Sequence, residues 1–405
     1  MINKKLFRVL MFSLLISCIA GCAVRKSHKS SADPALVESI DQNLKDAASQ
    51  YKVMMTSLPE NRFPKTYDPK SGKAETSTSD WWCSGFYPGT LVLLYEQTKD
   101  AALLKEAERV LKLLEKEKNN TTTHDLGFMM YCSFGNANRV ASKPEYKDIL
   151  LTSAKSLSTR FNPKVGAIKS WDSRDKSDYL VIIDNMMNLK LLFWASQVSG
   201  DPSYRQIAIT HANTTMRNHF RPDHSSYHVL NYDAQTGAVK QKRTAQGFAD
   251  ESAWARGQAW GLYGFTEVYR ETKDRKYLDQ AQAIAEFILS HPNLPADKIP
   301  YWDFNAPNIP NALRDASAGA ITASALLELS TYTDQPASNR YFAAAETMIK
   351  TLSSASYKAA PGTNGGYILM HGLGHMPNKT EVDVPLTYAD YYYVEALARY
   401  KNMTK

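Results

Sequence analysis

The sequence predicts an all-α fold, a single (α/α)6 toroid in which inner helices alternate with outer ones around a closed ring. Three observations lead there. First, helical periodicity recurs from about Pro34 to the C-terminus, while alternating strand patterns are scarce. Second, the periodicity resolves into twelve helix candidates: 35–56, 86–98, 100–117, 125–139, 144–160, 184–199, 203–219, 251–271, 275–290, 315–332, 338–355 and 385–401. Gly-, Pro- and Asn-rich loops separate them, the longest over 220–250 and 291–314. Third, helix character alternates. The stretch 184–199 is apolar on nearly every face and must be buried all round, whereas 203–219 and 275–290 carry charges on one face.

A weak repeat supports the hairpin pairing. Tyr95-Glu96-Gln97-Thr98-Lys99-Asp100, Ser196-Gln197-Val198-Ser199-Gly200-Asp201, Tyr269-Arg270-Glu271-Thr272-Lys273-Asp274 and Thr331-Tyr332-Thr333-Asp334 each end one helix and use Asp to start an amphipathic one. The intervals of 101, 73 and 60 residues are too irregular for a short-repeat solenoid. They suit helical hairpins with loops of unequal length. No linker divides residues 34–405, which read as one catalytic domain with a large core.

The N-terminus reads as a targeting segment. Lys4, Lys5 and Arg8 precede an apolar run from Val9 to Ala20, too short for a membrane span. Ile19-Ala20-Gly21-Cys22 resembles a bacterial lipobox. This predicts a signal peptide over 1–21, lipidation of Cys22 and a polar tether over 22–33. The mature chain is then a lipoprotein held at the outer membrane or in the periplasm, with only its lipid in the bilayer.

Loss of Lys4, Lys5 and Arg8, with no acid lost, takes the net charge from +7 to +4. No basic block or basic-aromatic stripe accompanies that mild excess, so nucleic-acid binding is not indicated. Of four cysteines, Cys18 lies in the signal and Cys22 is the anchor. Cys83 and Cys132 could pair in an oxidising compartment, but their aromatic surroundings favour free, buried thiols. No Cys/His spacing or acidic loop fits a metal, and no cofactor is implied.

Chemistry concentrates where apolar helices begin. His124-Asp125-Leu126-Gly127-Phe128, Ile183-Asp184-Asn185-Met186-Met187-Asn188 and Ala255-Arg256-Gly257-Gln258-Ala259-Trp260 each open an inner helix with acids, amides or a cation. Asp is a preferred N-cap, so either carboxylate could do no more than close its helix. Two acids in one aromatic pocket would instead drive their ionisation apart and supply general acid/base chemistry. The aromatics include Trp81, Trp82, Trp171, Trp254, Trp260 and Trp302, and Trp faces beside polar groups suit sugar rings. Trp254 and Trp260 are six residues apart, not quite one helical face. Arg256, inside an apolar stretch, needs an anionic partner, either a structural Asp or a substrate carboxylate. The loop 222–250 adds His228 and Gln246. His371 and His375 stand at i and i+4, as metal ligands can, but their glycine neighbours argue for a loop, in which they are substrate-edge or structural residues.

These motifs resemble those of the unsaturated glucuronyl hydrolases, glycoside hydrolase family 88, over essentially the whole mature chain, from Trp82-Cys83-Ser84-Gly85-Phe86-Tyr87-Pro88-Gly89 to Tyr388-Ala389-Asp390-Tyr391-Tyr392-Tyr393. The resemblance implies an (α/α)6 barrel and a reaction on the unsaturated sugar that lyases leave at the non-reducing end of glycosaminoglycan fragments from chondroitin, hyaluronan or heparin. It implies Asp184 as general acid/base and Asp125 as the second essential acid. His124, Trp171, His228, Gln246, Trp254, Arg256, Trp260 and, at the rim, His371 fall where the family contacts substrate. The implied chemistry is hydration of the C4=C5 bond, not displacement at the anomeric carbon, so the separation of the acids says nothing about anomeric stereochemistry. Some members bind a sulfate with a Ser-rich run ending in Lys; here the stretch 371–379 keeps Lys379 and lacks the serines. The related unsaturated rhamnogalacturonyl hydrolases, which act on pectin-type fragments, share the fold and one acid. A glycan-binding lipoprotein without catalysis would need the aromatics and not two acids.

Overall fold

The computed structural model describes residues 32–405. The expected signal peptide, Cys22 and nearly all of the tether lie outside the described residues. Within them the chain opens with α1 (Pro34–Ser57), a hairpin of β1 (Phe63–Asp68) and β2 (Lys73–Ser77), then α2 (Phe86–Thr98) and α3 (Ala101–Leu114). A π-helix over Gly127–Gly135 runs into α4 (Asn136–Val140), followed by α5 (Pro144–Ser158) and the short strands β3 (Phe161–Asn162) and β4 (Ala167–Ile168). Strand β5 (Asp178–Ile182) leads through a 3-10 turn, Ile183–Asn188, into α6 (Leu189–Ser199) and α7 (Pro202–Asn218). After β6 (Val229–Asp233) and β7 (Val239–Arg243) come α8 (Ala255–Thr272), α9 (Arg275–Ser290), α10 (Ala316–Ser330) and α11 (Gln335–Leu352). The hairpin of β8 (Gly372–His375) and β9 (Thr380–Val384) precedes α12 (Thr387–Thr404).

The helices close on themselves. α2 packs on the π-helix and α4, the π-helix on α6 and its 3-10 turn, then follow α8, α10, α12 and again α2. α1, α3, α5, α7, α9 and α11 cover the seams from outside. The ring therefore has the six-plus-six plan predicted. Composition explains the division. Every residue from Ala316 to Leu327 on α10 is buried, and this helix of small residues can touch neighbours on all sides. Outer α3 buries only Leu103, Ala107, Val110, Leu111 and Leu114, one stripe at helical spacing.

The repeated turns mark the step from inner to outer helix. Lys99, Gly200 and Lys273 take left-handed φ of 61°, 77° and 57° and end α2, α6 and α8. The next residues, Asp100, Asp201 and Asp274, accept backbone N–H groups as N-caps of α3, α7 and α9. Asp334 caps α11 and Asp33 caps α1 in the same way.

Two expectations need correction. The stretch 220–250 is not simply loop: β6 pairs antiparallel with both β5 and β7. β1–β2 and β8–β9 make two further hairpins between helices. Their strands are short and their partners distant or mixed in polarity, so no alternation stood out. The helices expected at 125–139 and 184–199 also begin irregularly, one as a π-helix and one as a 3-10 turn. Both irregular starts carry a candidate acid, and π segments recur at functional sites.

Candidate active site

Gly127 and Asn188 bring the two acids together. A Cβ on Gly127 would stand 2.4 Å from Asn188 Cα, so only glycine lets the π-helix start approach the 3-10 turn this closely. Phe128 N–H donates to Asn188 Oδ1 at 2.9 Å and locks the contact. Asn185 donates to Ile168 O at 2.7 Å and anchors the same turn to β4. The motif residues beside the acids are thus the hardware that fixes them.

Neither carboxylate caps its helix. The N-cap position, Ile182, makes no side-chain cap, Asp184 takes a backbone hydrogen bond from its own N–H, and its Oδ2 is buried without a hydrogen-bond partner in the chain. Asp125 accepts Thr123 Oγ–H at 3.0 Å and faces His124 Nε2 at 3.2 Å. The capping reading therefore fails for both, and each side chain keeps a small exposure, 13% for Asp125 and 12% for Asp184. Burial pushes Asp184 up to about 7. The nearby Arg256 charge and the Trp260 indole pull the other way, while Asp125 adds to the rise. Near neutrality Asp184 carries a proton for about half the time, the balance a general acid/base needs.

His228 and His124 are both held below their usual range by burial, and their tautomers follow from their partners. His228 Nδ1 accepts N–H from both Ala245 and Gln246 at 3.1 Å. Its proton is therefore on Nε2, 3.8 Å from Asp184 Oδ2. Burial, then the Arg256 charge, hold His228 well below its usual range. His124 behaves oppositely: Nδ1 donates to Ser170 O at 3.1 Å, leaving Nε2 as an acceptor.

Aromatic faces complete the walls. Trp254 lies 4.4 Å from the His228 ring, and Trp171 meets the same ring edge-on at 6.2 Å. Trp260 is fully buried between Phe128 and Tyr392, and Trp254, also buried, lies against His228 and Arg256, so of these three tryptophans Trp171 is the one partly exposed.

Arg256 finds its anion inside the protein. It donates to Asp315 Oδ2 at 3.0 Å, to the carbonyls of Leu373 and Gly374, and to Gln246 Oε1 at 2.6 Å, while stacking over Trp254 at 4.4 Å. It ties the start of α8 to the N-cap of α10 and to β8, and leaves the Gln246 amide N–H groups free for a ligand. Nothing in the geometry brings His371 to the other site side chains: it pairs with Asp383 Oδ1 at 2.7 Å, half-exposed on the β8–β9 hairpin, and that carboxylate raises its pKa. His375, the other member of that pair, lies close enough to Arg256 and His228 to exchange electrostatic influence with both.

Sequence reasoning did not single out Asp315 or Tyr388. Asp315 looked like one more helix cap, and it is one, accepting Ser317 N–H at 3.0 Å, but it is also fully buried beside Arg256. Tyr388 lies under Arg256 at 5.4 Å with its hydroxyl buried and unpartnered; only its place in a long aromatic run hinted at it. Asp184 Oδ2, His124 Nε2, His228 Nε2, Trp254 Nε1 and Tyr388 OH all lack partners within the chain. Other buried polar atoms of the described residues are orphaned too, but these five sit beside the two acids and Arg256, and donors and acceptors so placed can take up the hydroxyls of a ligand.

Residues 55–288 match the family described as Glycosyl Hydrolase Family 88. The chain is 48% identical over 345 residues to an unsaturated glucuronyl hydrolase of Formosa agariphila, covering 85% of this chain and 86% of the relative. It is 34% identical over 374 residues to an unsaturated chondroitin disaccharide hydrolase of Streptococcus pyogenes, covering 90% and 91%. A crystal structure of an unsaturated glucuronyl hydrolase specific for heparin superposes with a TM-score of 0.87 at 47% identity, over 90% of this chain and 97% of that one.

Proposed function

The chain belongs to glycoside hydrolase family 88 and is a glycosidase of the unsaturated glucuronyl hydrolase kind, and on that premise we propose that Asp184 drives hydration of the C4=C5 bond of an unsaturated glucuronate. That sugar stands at the non-reducing end of a lyase-generated glycosaminoglycan fragment from chondroitin, hyaluronan or heparin. The observation that carries the reading is Asp184 itself: a buried carboxyl with a free oxygen, held near neutrality, at the meeting point of Trp260, His228 and Asp125.

In its protonated form Asp184 gives its proton to C4, and the positive charge develops at C5 and the ring oxygen. The carboxylate so formed takes a proton from water as that water adds to C5, and Asp184 is restored. The hemiketal at C5 opens, and the bond to the next sugar breaks as the leaving oxygen takes up a proton. Asp125 and His124 present adjacent acceptors to sugar hydroxyls. His228 Nε2–H and the Gln246 amide present donors. Trp171, partly exposed, supplies stacking surface, Trp254 backs His228, and Arg256 holds Gln246 in place.

The test is a panel of unsaturated disaccharides from chondroitin, hyaluronan and heparin, followed by loss of the enol-ether ultraviolet absorbance. Decay with at least one of them is expected; an inert panel overturns the reading. We also propose that Cys22 is lipidated and holds the enzyme at the outer membrane or in the periplasm, on the strength of Ile19-Ala20-Gly21-Cys22 after a basic, then apolar, leader. Radiolabelled palmitate should enter the full chain and not Cys22→Ser.

A further inference from the structure

Ser170 O accepts two hydrogen bonds, one from His124 Nδ1 at 3.1 Å and one from Arg160 Nη2 at 3.0 Å. Arg160 follows the end of α5, is only 9% exposed, and gives its other donors to carbonyls as well: Nε to Lys169 O at 2.9 Å and Nη1 to Thr121 O at 2.8 Å. Its nearest carboxylate, Asp172 Oδ1, is 3.7 Å away on a largely exposed side chain. A buried cation spent on three carbonyls and one loose ion pair is costly unless its charge serves its neighbours. Those carbonyls belong to the segment leading into His124 and Asp125 and to the segment leading into Trp171, so Arg160 pins two walls of the pocket together.

Its second consequence is electrical. A carbonyl can only accept, so His124 must keep its proton on Nδ1, and Nε2 of the neutral ring is a bare acceptor 3.2 Å from Asp125 Oδ1. Two acceptors that close need a shared donor. A sugar hydroxyl provides one. A proton taken up by His124 provides another, and the resulting imidazolium–carboxylate pair would consume both acceptors.

We propose that Arg160 is a positioning residue of the reaction: through the shared Ser170 carbonyl it holds His124 in the tautomer whose Nε2 is bare, and so keeps the His124–Asp125 acceptor pair open for a substrate hydroxyl. This rests on the hydration reading above only for the identity of that hydroxyl. Every charged or titratable group facing His124 fits. Asp125 favours protonation of the ring; burial and Arg160 oppose it and prevail. His211 on α7 is neutral, held down to about 3 by burial, with Nδ1 accepting Ile168 N–H at 3.0 Å. Asp184 lies beyond Asp125 and is itself half-protonated near neutrality. Asp172 is exposed and leans on Arg160 and Lys169.

The test uses the whole mature enzyme with ¹⁵N-labelled histidine, the His124 signal being the one lost in His124→Gln. In the wild type, His124 should show the neutral Nδ1–H tautomer from pH 6 to 8. An Nε2–H tautomer or an imidazolium at pH 7 overturns the proposal without any Arg160 variant. In Arg160→Gln, with the cation gone, the His124 titration and the acid limb of kcat/KM should both move up by about one pH unit. Kinetically, KM should climb as pH falls below the His124 titration, toward a limit of about 10-fold for a one-unit shift, while kcat at pH 8 stays within about 3-fold of wild type. Arg160→Lys, which keeps the charge and loses the fork, should recover most of the acid limb. An unmoved His124 titration in a folded Arg160→Gln protein shows a purely structural cation and refutes the idea. A wild type that titrates as described but ignores every unsaturated disaccharide would leave Arg160's role intact and overturn the functional reading instead.

Discussion

Replacing Asp184 by Asn should cost activity and gain stability, and the gain should depend on pH in a defined way. The folded protein holds this carboxyl at about 7, against 3.8 for the unperturbed group, through burial above all. Below pH 3.8 both folded and unfolded chains carry the proton, and the group does not favour unfolding. Between 3.8 and 7 the unfolded chain releases its proton and the folded chain does not, so rising pH favours unfolding; above 7 the penalty is complete. Three pH units at 1.36 kcal/mol each make that penalty roughly 4 kcal/mol, of which about 3 kcal/mol accrues between pH 4.5 and 7.5. Asn has no proton to lose and escapes it. Asp390, also buried and held at about 7 where it accepts Ile368 and Leu369 N–H groups, titrates identically in both proteins and cancels. Urea unfolding of wild type and Asp184→Asn at pH 4.5, 5.5, 6.5 and 7.5 should thus show a stability difference that shifts by about 3 kcal/mol in favour of the variant across the series. Turnover of the variant should fall by roughly 100-fold or more, the scale of general acid/base catalysis. A difference flat with pH would mean that Asp184 is an ordinary ionised carboxylate in the folded enzyme, and the general-acid assignment would go with it.

The same titration governs rate: protonated Asp184 is the reactive form, so kcat/KM should fall tenfold per pH unit above about 7, and a profile rising through pH 8 would contradict it. Arg256→Lys should lower kcat/KM by about 10-fold or more, because an ammonium cannot reach Asp315, Gln246 and two β8 carbonyls together; unchanged kinetics would show that the knot does not support the pocket. Turnover in heavy water should place one deuterium at C4, and turnover in oxygen-18 water should label C5 before the new carbonyl exchanges, with none in the glycosidic oxygen kept by the leaving sugar. A saturated glucuronide should be inert, whereas label at C1 together with cleavage of saturated substrates would replace hydration by ordinary glycoside hydrolysis.

Much of this was legible in the chain. Periodicity alone produced the helix succession, because a closed double ring forces inner helices to be apolar all round and outer ones to be striped. The Asp that follows each helix-ending turn marked the outer helices, since an N-cap is a local interaction between a side chain and backbone two residues on. The motifs were legible because they break a local rule, placing acids, amides and an arginine in apolar helix starts where packing alone would not want them. The strands stayed hidden, as β5 reads only as an apolar run until β6, some fifty residues later, pairs with it.

What tertiary structure alone decided is which alternative each polar residue takes. Asp184 and Asp125 could have been caps; neither is, and Gly127 against Asn188 sets their two helix starts side by side. Arg256 could have awaited a substrate carboxylate; Asp315, fifty-nine positions away, answers it. His371 and His375 looked alike in sequence, yet one pairs with Asp383 on the hairpin and the other lies near His228. Arg160 gave no sign at all, because its partners are carbonyls, and every residue has one. The sequence determines which side chains are present and the helical period that buries them; protonation, tautomer and pairing depend on distances across the closed ring, which no local pattern encodes.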